Sequence, residues 1–88
     1  MQYNKKTIRL SKHAQEQCVE RGATEDEVKK AIMEASWEAA KNGKYECKYT
    51  FQFSANWIGR HYAVKEVRPI FADEPDEIVV ITVYTYYN

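Results

Sequence analysis

The sequence predicts an α+β domain: a short N-terminal strand and a two-helix hairpin packed on a mostly antiparallel sheet of three or four strands. Three observations carry that prediction. Two helix-start signals lie close together, at Ser11 and at Thr24. Strict polar–apolar alternation begins at Lys44. The segment Ile78 to Tyr87 is built from β-branched and aromatic residues.

Thr7-Ile8-Arg9-Leu10 reads as a short strand. Ser11 is placed to cap a helix, its hydroxyl accepting from a first-turn amide that has no partner within the helix. That helix runs to about Arg21 and stops at Gly22, which adopts a left-handed conformation without a Cβ penalty. Ala14 and Cys18, four apart, mark its buried side. Thr24 and Glu27 have capping-box spacing, Ala23 and Val28 hydrophobic-staple spacing. Glu25, Asp26 and Glu27 suit the positive end of a helix dipole. The second helix should bury Val28, Ala31, Ile32 and Ala35. The two or three residues between the helices force a tight hairpin. Trp37 is expected to plug the space between hairpin and sheet.

Asn42-Gly43 signals a turn. Beyond it Tyr45, Cys47, Tyr49, Phe51 and Phe53 share one face of a strand, while Lys44, Glu46, Lys48, Thr50 and Gln52 share the other. Asn56 to Gly59 reads as a loop. Arg60 to Phe71 is a second strand whose alternation slips near Lys65-Glu66, which predicts a bulge there. Pro69 predicts an edge or a strand end. The acidic run Asp73-Glu74-Pro75-Asp76-Glu77 reads as a solvated turn. Ile78 to Tyr87 has the composition of a central strand covered on both faces.

With 88 residues and no repeat or linker, the chain reads as a single domain, 1–88. Thirteen basic residues balance 13 acidic ones. That balance argues against an indiscriminate nucleic-acid binder, which carries a basic excess. The charges are nevertheless segregated: Lys41, Lys44, Lys48, Arg60, Lys65 and Arg68 make the middle of the chain basic. Seven tyrosines suit half-buried sheets and binding surfaces. Cys18 and Cys47 have no metal or redox spacing and read as reduced core residues. No signal peptide and no apolar run of membrane-spanning length is present, so a cytoplasmic protein without a membrane association is expected. The sequence calls for no cofactor and no metal.

His13, Gln17 and Arg21 recur every fourth residue and form one row on the first helix. A histidine in the first turn of a helix suits either a general base or a hydrogen-bonding anchor. Both roles stay open, because the chain contains no self-sufficient catalytic motif.

The runs Ser11-Lys12-His13-Ala14, Glu20-Arg21-Gly22-Ala23-Thr24 and Glu27-Val28, with the ending Ile78-Val79-Val80-Ile81-Thr82-Val83-Tyr84, resemble the signature of the family catalogued as domain of unknown function 4258. Its helix-helix-then-sheet order is similar to the RelE/ParE-type toxin layout, whose members include ribonucleases and gyrase poisons. The resemblance implies a metal-independent endoribonuclease or an RNA- or ribosome-directed factor. His13 would then act as base or acid. Arg21, Lys48 and Arg60 would hold phosphate, and Tyr84 or His61 would supply the second proton-transfer group. Gln17 would line the same substrate site. Sheet tyrosines would stack on bases. The implied partners are RNA or a cognate antitoxin. The competing reading is a non-catalytic protein-binding module, such as a phage or mobile-element accessory protein, and a third is a homodimer through the tyrosine-rich strand edge.

Overall fold

The computed structural model describes residues 5–88. The chain runs β1 (Thr7–Leu10), α1 (Lys12–Arg21), α2 (Glu25–Glu34), β2 (Glu38–Ala39), a 3-10 turn at Lys41–Gly43, β3 (Tyr45–Glu46), β4 (Tyr49–Trp57), β5 (Arg60–Asp73) and β6 (Glu77–Tyr87). The class is α+β, as expected, but the sheet has six strands rather than three or four. Its order is β1-β6-β5-β3-β2, with β4 also paired to β5. β1 runs parallel to β6 and the other pairings are antiparallel.

Both helices form where their caps place them. Ser11 Oγ accepts from Ala14 N at 3.1 Å, and Gly22 ends α1 with φ 76°. Thr24 Oγ1 accepts from Glu27 N while Glu27 Oε1 accepts from Thr24 N, the reciprocal pair of a capping box. α1 buries Ala14, Gln17 and Cys18; α2 buries Val28, Ala31 and Ile32. These side chains meet Val67, Phe71, Ile78, Val80 and Val83 from one face of the sheet. Trp37 is buried as expected. Its indole N–H donates to Ile32 O at 2.9 Å, and its ring meets the Phe71 ring edge-on at 4.8 Å.

The alternating segment is interrupted at Cys47-Lys48, which divides it into β3 and β4. Pro69 explains the interruption and corrects the edge assignment, because it lies fully buried within the central strand. In a strand, a residue's N–H and C=O point to the same side. Pro69 O accepts from Cys47 N, so the donor that proline lacks would point at the gap between β3 and β4 and is missed there least.

Residues 56–59 do not form a loop. β4 continues to Trp57, which pairs with Arg60 across a two-residue turn, Ile58-Gly59. Both turn residues have positive φ, 48° and 77°, the geometry of a type I′ hairpin. A β-branched residue in that conformation is strained.

The bulge predicted at Lys65-Glu66 lies slightly earlier. Lys65 and Glu66 pair regularly with Phe51 and Thr50 on one side and Tyr87 and Tyr86 on the other. The irregularity is at Ala63 and Val64, whose amides both donate to Asn88 O, at 2.9 and 3.0 Å. A second shift in β4, between Gln52 and Ala55, accompanies Ser54 at φ 46°.

The apparent slip at Lys65 has a different cause: this lysine faces the core. It is 4% exposed, and its Nζ donates to Gly22 O at 2.8 Å and pairs with Glu27 Oε1 at 2.8 Å. The basic middle of the chain is therefore less exposed than the sequence suggests. Nor is the acidic turn merely solvated. Lys6 pairs with Asp73, and the Arg9 guanidinium grips both oxygens of Glu77 at 3.1 Å. That hydrogen bond holds the Glu77 carboxyl below its ordinary value, and the two pairs fasten β1 to the β5–β6 turn.

Lys65→Met should cost about 3 kcal/mol in chemical denaturation, because it strands the Gly22 carbonyl and Glu27 at a helix end; an unchanged midpoint would contradict the role of Lys65. Ile58→Asn should raise stability by about 1 kcal/mol, since asparagine tolerates the left-handed turn position that isoleucine resists; thermal denaturation reads the sign directly.

Candidate functional site

The predicted row on α1 is real, but its members have diverged in role. His13 is exposed in the first turn. Gln17 is 8% exposed, and its Oε1 accepts from Val83 N at 2.8 Å. Arg21 donates to Val83 O at 2.7 Å. Val83 lies where β6 has already run past Leu10, the last residue of β1 to pair with it, so its outward N–H and C=O face no strand among the described residues. Gln17 and Arg21 supply the acceptor and donor that a further strand would have provided.

The end of α1 is held just as firmly. Arg21 O accepts from Thr85 Oγ1 at 2.9 Å and from the Tyr87 hydroxyl at 2.6 Å, and Gly22 O from Lys65. Burial pushes the Tyr87 phenol above its ordinary pKa, which keeps it a donor. A Cβ on Gly22 would strike the Tyr87 hydroxyl and come within 2.8 Å of the Trp57 ring. The aromatic cluster of Phe53, Trp57, Tyr62 and Tyr87 thus packs directly beneath the hairpin turn.

Among the described residues, no helix covers the opposite face of the sheet. There Arg68 pairs across the strands with Tyr84, Glu66 with Tyr86 and Ile70 with Thr82. Tyr84 and Tyr86 are 37% and 45% exposed, which corrects the expectation that β6 is covered on both faces. Arg68 lies over the Tyr86 ring at 5.2 Å, and Arg21 reaches past the free edge of β6 to lie 4.9 Å from the centre of the Tyr84 ring. Two arginine–tyrosine pairs therefore stand side by side on an open surface. Arg68 also donates to Glu66 at 3.1 Å, and its Nε is buried without a hydrogen-bond partner.

Two hollows adjoin this platform. A small polar one of about 110 Å³ is lined by Glu38, Glu46, Cys47, Lys48 and Arg68. A larger groove of about 440 Å³ has Ile70 and Ile81 beside Lys41, Asn42, Lys44 and Glu46. Of the residues singled out from sequence, Arg21 and Tyr84 come into contact, Gln17 joins Arg21 at Val83, and Lys48 lines the polar hollow together with Arg68. Arg60 and His61 are exposed on the first residues of β5, with Arg60 5.9 Å from the centre of the Tyr62 ring. Neither hollow is lined by His13, Tyr84 or His61.

Arg68 and Tyr86 were not singled out from sequence as site residues. The signal was present in the alternation of β5 and β6, where Arg68, Tyr84 and Tyr86 share a face once the strands are paired in register.

Both cysteines are buried. Cys47 Sγ donates to Ala31 O at 3.4 Å, and burial with the nearby Glu46 charge pushes its pKa up to about 12. Burial raises Cys18 as well, aided by Glu25 and Glu27. Neither is a ready nucleophile. An unfolded thiol ionises near 9.0, so between that value and about 12 only the native state keeps the Cys47 proton. The contribution of Cys47 to stability is whole below pH 9 and declines as the pH rises through that window. Native protein at pH 9 should accordingly be alkylated slowly at Cys47, and denatured protein rapidly. Rapid native labelling, located by peptide mass, would contradict the burial argument.

Among the described residues, no three His, Cys, Asp or Glu side chains gather as a metal site, and no helix is long and apolar enough to cross a membrane. Comparison with curated proteins and with solved structures gives no match. The family model of the Domain of unknown function (DUF4258) matches residues 10–85. The chain belongs to that family.

Proposed function

We propose that this member of the DUF4258 family is an RNA-directed binding factor that holds single-stranded RNA on the arginine–tyrosine platform. One observation carries the reading: Tyr84 and Tyr86 occupy successive same-face positions of β6, both exposed, each with a guanidinium against its ring. Aromatic rings on a sheet surface present π-faces to unstacked bases, and arginines beside them meet the backbone phosphates or stack in turn. Two residues along a strand is a step of roughly 7 Å, which a chain with splayed bases can follow. An RNA target together with two reduced thiols implies a cytoplasmic setting.

Glu66 offsets Arg68, so of the platform's two guanidinium groups only that of Arg21 is left without a carboxylate partner on the platform. Stacking rather than counterion release should therefore dominate affinity, and the salt slope should be shallow. The endoribonuclease form of this reading further needs His13 to reach the bound phosphate from the exposed first turn of α1.

Fluorescence anisotropy with a short labelled single-stranded oligoribonucleotide tests the proposal. Tyr84→Ala and Tyr86→Ala should each cost about 1–3 kcal/mol of binding, with the fold intact by circular dichroism. Unchanged affinity in both variants, or no binding by the wild type, would remove the platform as an RNA site. In the second case, capture of a folded protein partner by the same face would favour the binding-module alternative. Gel analysis of the same RNA, with His13→Ala alongside, reports whether binding is accompanied by cleavage.

A further inference from the structure

The larger groove continues the platform along the same face of the sheet. On β5, Ile70 follows Arg68 by two residues; on β6, Thr82 precedes Tyr84 by two, and Ile70 and Thr82 are paired. Ile81 is the extra residue where the register shifts between Ile70 and Phe71. The groove therefore begins one strand step beyond Tyr84, and the bulge in β6 helps to form it.

Its lining has three distinct parts. Ile70, Ile81 and Ala40 give an apolar floor; Lys41 and Lys44 bring two ammonium groups; Asn42 and Glu46 add an amide and a carboxylate. The rim is a hydrogen-bonded turn. Ala40 N donates to Lys44 O at 2.8 Å, Lys44 N to Lys41 O at 3.2 Å, and Asn42 and Gly43 hold positive φ of 59° and 73°. The lysines are thus carried on a closed loop beside an apolar surface rather than on a flexible tail.

An apolar floor accepts the face of a planar ring, and paired ammonium groups complement a phosphate. A carboxylate accepts from an exocyclic amino group such as that of cytosine. We propose that this groove is a nucleotide subsite: the base rests on Ile70 and Ile81, its phosphate meets Lys41 and Lys44, and its amino edge meets Glu46. The subsite extends the RNA-binding reading by one position and adds a base preference that the tyrosines alone do not supply, since stacking tolerates every base.

The full chain is titrated with cytidine 5′-monophosphate, uridine 5′-monophosphate and inorganic phosphate, each followed by the amide resonances of residues 40–46, 70 and 81. The same proteins are then titrated with the labelled oligoribonucleotide. Saturable cytidylate binding is expected, weaker by about tenfold or more in Lys41→Ala/Lys44→Ala. Glu46→Gln should bring cytidylate and uridylate to equal affinity, and Lys12→Ala, on α1, should bind as the wild type does. No saturable mononucleotide binding, or inorganic phosphate binding as tightly as cytidylate, would overturn the subsite. So would an affinity for cytidylate unaltered by the double lysine variant. The two readings fail separately. Cytidylate bound at the groove by a protein that ignores the oligoribonucleotide refutes the platform and keeps the subsite. Oligoribonucleotide bound equally by wild type and by the double lysine variant, with no mononucleotide binding, refutes the subsite and keeps the platform.

Discussion

A single buried ammonium group ties the two layers of this protein together. Lys65 lies in the central strand with its side chain directed into the core, where a lysine is expensive unless its charge is answered. It is answered twice, by the carbonyl that ends α1 and by the carboxylate that caps α2. Gly22 lies in the turn between the helices and Glu27 in the first turn of α2, so one side chain fixes that junction against the sheet. The Tyr87 and Thr85 hydroxyls bond the neighbouring carbonyl, and all three donors meet the negative end of the α1 dipole.

The surface depends on this anchor. With its end held, α1 lies along β6 at a distance that lets Gln17 and Arg21 satisfy Val83. The free edge of β6 is thereby closed by side chains, and Arg21 is left against the Tyr84 ring. A row that looks catalytic in sequence is thus divided by the fold. Gln17 is used up in holding the strand, Arg21 serves the strand and the platform together, and His13 stands in solvent. Because the helices occupy one face alone, the tyrosines of β6 that alternate away from them have nowhere to go but the open side.

What was legible in the sequence was local. Ser11, Gly22, Thr24 and Glu27 declare helix ends through bonds made within a few residues, and each forms as expected. The elements that depend on distant partners were harder to read. The break at Cys47-Lys48 reflects Pro69, over twenty residues away in the chain. The Ile58-Gly59 turn replaces an expected loop because strand pairing overrides the reluctance of isoleucine to adopt positive φ. Lys65 looked like a slip in alternation because its charge is unexpected at a core position. Of the candidate site, Arg21 and Tyr84 were found by motif, but Arg68 and Tyr86 become neighbours only through the β5–β6 register.

The proposed RNA site is the open sheet face rather than the α1 histidine. Backbone and tyrosine-ring resonances, followed during titration with a single-stranded oligoribonucleotide, test it most directly. The largest shifts should fall on Arg68, Tyr84, Tyr86 and their neighbours in β5 and β6. Shifts centred instead on His13 and the first turn of α1, with the tyrosine rings unmoved, would contradict it.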